Sequence, residues 1–360
     1  MLIGLINDTH FGVRSESPEL LAHMTSFYEK QFFPYMKRHG IKTICHLGDI
    51  VDRRKFIQYP ILASLKEVFM RPIWEMGIDL HIVVGNHDTY YRNTNSLHAM
   101  KTIFGRFDGG WEPKYYESPE VVTFGDCDIL MLPWITSENE AECMAMLEST
   151  NAEVLFGHVE LNGFEMYKGL PNFGGFDRKI FNNFHTVMSG HFHHKSDVEN
   201  IHYLGSPYEM TWADFDDSRG FHVFDTDTRE LMYIRNMDRI FYKLFYADVD
   251  MTSEALLSTD FSTFSGKYVK VVVQQKSNPH TFDMFMSRLH DAGCADISIV
   301  EDHYNSQHID EADLVDQAED TLVILSKYVS DLKGTVDRPA VEATLISLYN
   351  ESMNMEDSTI

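Results

Sequence analysis

The sequence predicts an α/β protein, and three observations carry that prediction. Short apolar runs rich in β-branched residues, at 2–6, 41–47, 78–84, 154–156 and 186–188, read as strands buried on both faces. Helical patterns at about 18–39 and 60–76 separate the first three, as in a layered α/β domain. Metal-ligating side chains follow each run, and in four of the five cases a glycine introduces them. Glycine lets the backbone turn sharply, so the next side chains are expected at the carboxyl edge of the sheet, where α/β proteins place their sites.

Taken in order, the first strand leads into Asp8-Thr9-His10 and the second into Gly48-Asp49-Ile50-Val51-Asp52. The third leads into Gly85-Asn86-His87-Asp88. After Gly110 the pattern shifts to alternating strands at 121–124 and 129–132. The fourth and fifth buried runs end at Gly157-His158 and Gly190-His191-Phe192-His193, and strand patterns return from 198 through 234. From about Phe241 a smaller unit reads as a strand at 268–273, a helix at 281–291 and a strand at 296–300. In the tail, Leu314, Ala318, Leu322, Leu325, Val329 and Leu332 mark one apolar helix face. Gly334 breaks it, and Pro339 suits the first turn of a second helix carrying Val341, Leu345, Leu348 and Tyr349.

Any one Gly-Asp or Gly-His pair is weak evidence, because glycine, asparagine and aspartate are ordinary turn residues. Five such segments in this order are not explained by turns. Carboxylate, amide oxygen and imidazole without thiol make a mixed oxygen and nitrogen set, which suits manganese, iron or zinc better than calcium. Two cations held roughly 3.5 to 4 Å apart by a shared carboxylate can activate water and clamp both oxygens of an in-line displacement at phosphorus.

The five segments resemble the pattern D-x-H, G-D-x-x, G-N-H-[DE], G-H, G-H-x-H of the calcineurin-like metallophosphoesterase superfamily, across roughly residues 1–195. The resemblance implies a two-sheet sandwich flanked by helices. It implies one metal held by Asp8, His10, Asp49 and His193, and another by Asp49, Asn86, His158 and His191, with Asp49 bridging. His87 would then stand over the scissile phosphate as an acid, and Asp52 would orient its imidazole. Gly48 to Arg53 also looks like the G-D-x-V-D-R segment of phosphoprotein phosphatases. Against that branch stand Phe11 between His10 and Gly12, Arg54 where those enzymes have glycine, and Asp88 where they have glutamate.

Segments outside the ligands are similar to SbcD-type DNA double-strand-break repair nucleases, the phage version especially. They are Pro133-Trp134-Ile135, 157–164, Tyr167-Lys168-Gly169, Gly205-Ser206-Pro207 and Arg219-Gly220-Phe221. This likeness implies a nuclease domain at 1–238, a small α+β DNA-capping domain at 239–308 and a helical segment at 309–360 that docks on an SbcC-like ABC-type coiled-coil ATPase. It further implies two manganese ions, with magnesium as the alternative, action on double-stranded DNA ends, and a homodimer formed through helices near 60–76 and 94–104. A scaffold that only recruits the ATPase is the non-enzymatic alternative.

Composition bounds the rest. The four cysteines, Cys45, Cys127, Cys143 and Cys294, stand far apart, which suggests neither a zinc ribbon nor a disulfide framework and predicts a reducing, cytoplasmic setting. No apolar run is long enough for a membrane span, and no signal peptide precedes the first strand. A net charge of -25 argues against strong binding of DNA by the chain alone, since duplex affinity rests on Lys and Arg. Acid is concentrated in 297–320, which holds no Lys or Arg, whereas Arg53, Arg54, Lys55 and Arg92 follow the second and third motifs.

Overall fold

The computed structural model describes residues 1–104, 111–248 and 253–301, with isolated positions beyond them. The chain divides into two compact units, Met1–Met210 with Asp214–Glu301, and Thr211–Ala213 with Asp302–Ile360. The first holds both large sheets; the second consists mostly of residues outside the described set.

Strands β1 (Leu2–Ile6), β2 (Thr43–His46), β3 (Asp79–Val83) and β4 (Lys114–Tyr116) lie parallel and adjacent. The chain then builds a second sheet from β5 (Glu120–Phe124), β6 (Cys127–Leu132) and β7 (Val154–His158). A short hairpin of β8 (Glu165–Tyr167) and β9 (Leu170–Pro171) precedes β10 (Thr186–Gly190), β11 (Ser196–Val198) and β12 (Ile201–Tyr203), which complete that sheet in the order β11-β12-β10-β7-β6-β5. Finally β13 (Gly220–Asp225) and β14 (Leu231–Arg235) return antiparallel to the open side of β1, giving β14-β13-β1-β2-β3-β4.

Strand periodicity decides which side chains face which layer. Ile3, Leu5, Cys45, Leu47 and Val83 of the first sheet meet Ile129, Met131, Val154, Phe156 and Met188 of the second in one buried core, so the two sheets form a sandwich. Leu130, Leu132, Leu155 and Val187 point the other way, toward Cys143 and Leu147 of the helix Glu140–Ser149. On the outer face of the first sheet, Pro18–Phe27, Tyr28–Phe32 and Phe33–His39 run on as one helical stretch with a wider π-helical turn in its middle. Ser17 starts it by accepting from Leu20 N, and Gly40 ends it at φ 65. A like stretch spans Tyr59–Leu65, Lys66–Met70 and Arg71–Glu75. Phe27, Tyr28, Phe32 and Phe69 interlock beneath them, each fully buried. Each such ring contributes roughly 1.5–3 kcal/mol by leaving water. Gly4 leaves room for the end of the Met36 side chain, since a Cβ would stand 2.9 Å from Met36 Sδ.

A third sheet of parallel strands β15 (Phe241–Ala247), β16 (Tyr268–Gln275) and β17 (Asp296–Glu301) belongs to the same compact unit. The helix Pro279–Asp291 covers it, setting Phe282, Phe285 and Leu289 against Val269, Val271 and Val273. Glu209 accepts from the main-chain nitrogens of Ile240 and Phe241 where this sheet begins, and Arg14 lies over the Tyr268 ring. Of the two predicted tail stripes, only Val329, Val341 and Leu345 are described, and all three are helical; the remainder lies outside the described residues. Among the described residues no helix is long and apolar enough to cross a membrane.

Candidate metal centre

The ends of β1, β2, β3, β7 and β10 meet at one edge of the sandwich, and every residue named from the motifs stands there. Asp8, His10 and His193 form one group whose ligating atoms lie within 4.8 Å of one another; Asp49, His158 and His191 form another, and His10, Asp49 and His87 a third between them. Asp49 Oδ2 lies 3.3 Å from His158 Nε2 and 3.8 Å from His10 Nε2, so this carboxylate faces both outer groups. Asn86 Oδ1 completes the second, 2.9 Å from His158 Nε2 and 3.1 Å from His191 Nδ1.

The glycines act differently from the sequence expectation. Only Gly48, at φ 90, turns into the left-handed region; Gly157 and Gly190 lie inside the strand ends. Gly190 and Gly85 are needed for close approach: a Cβ on Gly190 would stand 2.5 Å from Leu47 O, and one on Gly85 2.3 Å from Asp49 Oδ1. The left-handed conformations fall instead on functional side chains, Asp8 (φ 48), His10 (φ 40), Asp49 (φ 59) and His191 (φ 92). Non-glycine residues adopt such angles at a cost of roughly 1–3 kcal/mol each, and surrounding contacts must hold them there.

Those contacts can be named. The Asp88 carboxylate accepts from the main-chain nitrogens of Gly85, Asp49, Ile50 and Val51, at 2.9, 2.9, 2.9 and 3.4 Å, and so pins the strained Asp49 turn. Burial, with the Asp49 charge, pushes the Asp88 carboxyl up to about 6. The His191 N–H donates to both Asp8 oxygens, at 3.1 and 3.0 Å. Arg219, buried, donates from Nη1 to His193 O and to Ser206 Oγ, and from Nη2 to Asp214 Oδ1 and Asp217 Oδ2 at 2.8 and 3.0 Å. Gly205 lets this arrangement close, since a Cβ there would stand 2.9 Å from His193 O. Trp134 lies against the His191 and His158 rings, with centroids 5.0 and 6.0 Å apart.

The donor set fits divalent cations. His158 Nδ1–H donates to Leu47 O at 2.7 Å, so its Nε2 turns toward Asp49 and Asn86 oxygens, which can only accept. His10 Nε2 and His193 Nε2 face each other at 3.0 Å, and His193 Nδ1 is buried without a partner. Protons on His10 and His158 can join these atoms, and a divalent cation would serve in the same place. Burial works against charge at His10 and His158, yet the hydrogen bond to Asp52 at His10, and the Asp49 charge at both, push each imidazole up to about 9. Burial likewise opposes the Asp49 charge, but His158, His87 and His10 hold its carboxyl well below the usual carboxylate range. His191 and His193 stay neutral, pushed down by burial. Neutral imidazoles and ionised carboxylates are the states that bind metal, so a cation entering here would displace the protons that His10 and His158 carry in its absence.

His87 meets Asp52 by a route the motif did not foretell. Its Nδ1–H donates to the main-chain oxygen of Asp52 at 2.6 Å, which turns the ring while leaving Nε2 for a substrate. The Asp52 carboxylate faces His10 instead, 3.5 Å from Nδ1, because the side chain turns toward the buried imidazole while the carbonyl faces the opposite loop. The sequence reading assigned no task to Asp88, Arg219 or Trp134.

Residues 1–195 match the model of the calcineurin-like phosphoesterase family. The chain is 33% identical over 279 residues to Exonuclease subunit 1 of Enterobacteria phage T4, covering 74% of this chain and 80% of that one. It is 23% identical to the SbcD component of the SbcCD nuclease of Staphylococcus epidermidis and, equally, of Staphylococcus saprophyticus, covering 62% of this chain and 66% and 65% of theirs. With its ordered motifs converging on one paired acid and imidazole cluster, the chain belongs to the calcineurin-like phosphoesterase family.

Proposed function

We propose that this chain is a two-metal DNA phosphodiesterase, with exonuclease and endonuclease activity, and the nuclease component of an SbcCD-like complex in which an SbcC-like ABC-type ATPase is the partner. The observation that carries the reading is Asp49 Oδ2 facing both His10 and His158, with His87 beside it. The nuclease names of the relatives supply the substrate class.

In this reading Asp8, His10, Asp49 and His193 hold one cation, and Asp49, Asn86, His158 and His191 the other. Manganese suits this imidazole-rich set better than magnesium. Bound divalent cations supply positive charge that lowers the pKa of water and draws charge from the phosphate. Asp49 keeps the two positions at a fixed separation, and Asp88 keeps Asp49 in its strained turn. His87, turned by Asp52 O, presents Nε2 to the phosphodiester and gives its proton to the departing oxygen. Trp134 excludes water from one side of His191.

The assignments extend to the whole chain. Residues 1–238 form the nuclease domain, 239–308 cap the DNA, and 309–360 bind the ATPase. Double-stranded DNA ends are the substrate, a homodimer forms through the helical stretch near 60–76 and the segment 94–104, which is helical over Met100–Phe104 and not from 94 as the sequence predicted, and the protein works in the cytoplasm during recombination and repair. The deciding assay is manganese-dependent release of nucleotides from a labelled linear duplex by wild type and His87→Ala, with a phosphopeptide in parallel and a repeat with the ATPase present. Duplex cleavage that drops about 10²-fold or more in the variant supports the reading. Phosphopeptide turnover alone would sink it.

A further inference from the structure

The loops that follow Asp52 and His87 carry a surface unlike the rest of this acidic molecule. Among the described residues the exposed aromatics are Phe56 (54%), Tyr59 (88%), Tyr90 (38%), Tyr91 (51%), Phe173 and Phe245. Four of these six stand on the segments that follow Asp52 and His87, Tyr59 as the first residue of the helix there. No Asp or Glu occurs between Asp52 and Glu67, or between Asp88 and Asp108, while Arg53, Arg54, Lys55 and Arg92 do. In a chain of net charge -25, that is a local reversal of sign.

The loops are also held in place, which distinguishes them from ordinary mobile tips. Arg54 donates from Nε to Thr89 O at 3.1 Å and from Nη2 to Thr89 Oγ1 and Tyr91 O, both at 2.9 Å, lacing one loop to the other. His87 Nδ1 to Asp52 O makes the same connection nearer the metal centre. Tyr90 N donates to Leu97 O at 2.9 Å. Tyr90 and Tyr91 meet edge to face with centroids 4.8 Å apart, and Arg53 lies over the Phe56 ring at 5.1 Å. Tyr90 and Tyr91 follow His87 by three and four residues, so they stand within about 14 Å of it by chain length alone.

We propose that Phe56, Tyr90 and Tyr91, with Arg53, Arg54 and Lys55, form a stacking platform for unpaired DNA bases at the mouth of the metal centre, so that the strand to be cut is held as a single strand. Rings supply the π-faces on which bases stack regardless of sequence, and the cations track the phosphates. A closed duplex offers its phosphates but no free base faces, so the platform favours frayed or single-stranded ends. This rests on the reading of the chain as a DNA phosphodiesterase.

The test titrates full-length chain, in EDTA to prevent cleavage, into a fluorescent oligothymidylate and into a blunt duplex, comparing wild type with Phe56→Ala, Tyr90→Ala/Tyr91→Ala and Tyr90→Phe/Tyr91→Phe. The alanine variants are expected to bind oligothymidylate roughly ten- to a hundredfold more weakly, and the duplex within about threefold of wild type. The phenylalanine pair retains wild-type binding, and the salt dependence of every variant stays the same, because phosphate contacts are untouched. Oligothymidylate affinity that ignores the rings overturns the platform, as does equal loss on both DNAs. If the alanine pair instead converts a sedimenting dimer to monomer with single-strand affinity intact, the face is a contact between copies and the proposal falls. The underlying reading fails separately: wild type with manganese that cleaves no DNA diester, alone or with the ATPase, sinks the nuclease while ring-dependent binding would still support the platform.

Discussion

The two halves of the metal centre are supported by different physics. The half formed by Asp8, His10 and His193 is backed by charged side chains: Arg219 grips His193 O and is itself held by Asp214 and Asp217, and the Asp52 carboxylate faces His10. The half formed by Asn86, His158 and His191 is backed by main chain and apolar surface: Leu47 O receives His158 Nδ1–H, and Trp134 covers both rings. A buried ion network fails sharply when one member is removed, because the remainder is left charged and unpaired. Main-chain and ring contacts fail by degrees. One half should therefore be brittle and the other tolerant, although both face the same Asp49 carboxylate.

The largest effect comes from removing what the halves share. Asp49→Asn takes away the carboxylate whose Oδ2 faces both, and manganese-dependent duplex cleavage should fall by about 10³-fold or more, with calorimetric titration showing both metal sites weakened together. Loss at a single site would show that the halves do not depend on one bridge. Next in size is Arg219→Met. It removes the guanidinium shared by Asp214 and Asp217, leaves the His193 carbonyl with the Ser206 N–H as donor, and should lower unfolding free energy by roughly 3–5 kcal/mol. In the surviving folded protein, one manganese site should weaken about 10- to 100-fold and the other stay near wild type. Equal weakening of both would erase the contrast. Trp134→Leu is the milder counterpart in the tolerant half, with affinity at one site reduced by about tenfold at most and little change in melting temperature.

This division explains what could be read from the sequence. Each ligand motif is a few residues long and sits at the end of one buried run, so Asp8, Asp49, Asn86, His158 and His191 could be named before any contact was known. The supports could not. Asp88 reaches the Asp49 turn from the loop after β3, and Arg219 reaches His193 from the residue before β13, which lies against β1 only because the chain returns to it after finishing the second sheet. The motif likewise named Asp52 but not which of its oxygens meets His87, because strand and turn patterns specify position and leave side-chain direction to packing. The apolar run from Leu2 to Ile6 was legible as a buried strand; that a Cβ on Gly4 would meet the Met36 side chain was not.

The smallest predicted effect separates the site from the sheet that carries it. His222 on β13 is as buried as His158, pairs across to Leu5 and Tyr233, and has both ring nitrogens without partners. Burial, aided by Lys195 and His202 and opposed by Asp197, pushes its imidazole down to about 3, whereas His158 beside Asp49 is pushed up to about 9. Burial alone therefore does not decide the charge of a histidine here; a facing carboxylate does. His222 in the unfolded chain takes a proton near its ordinary value of about 6.5. Above that pH it is neutral in both states and contributes no pH dependence. Below it, down to about 3, only the unfolded chain binds the proton, so stability falls as pH falls, by about 1.4 kcal/mol per unit for this one group. Urea denaturation of wild type and His222→Phe at pH 6.5 and 5.5 should show a loss about 1 kcal/mol smaller in the variant, whatever the substitution does to stability at either pH alone. An identical loss in both would mean that His222 is protonated inside the fold, with Asp197 facing it as Asp49 faces His158.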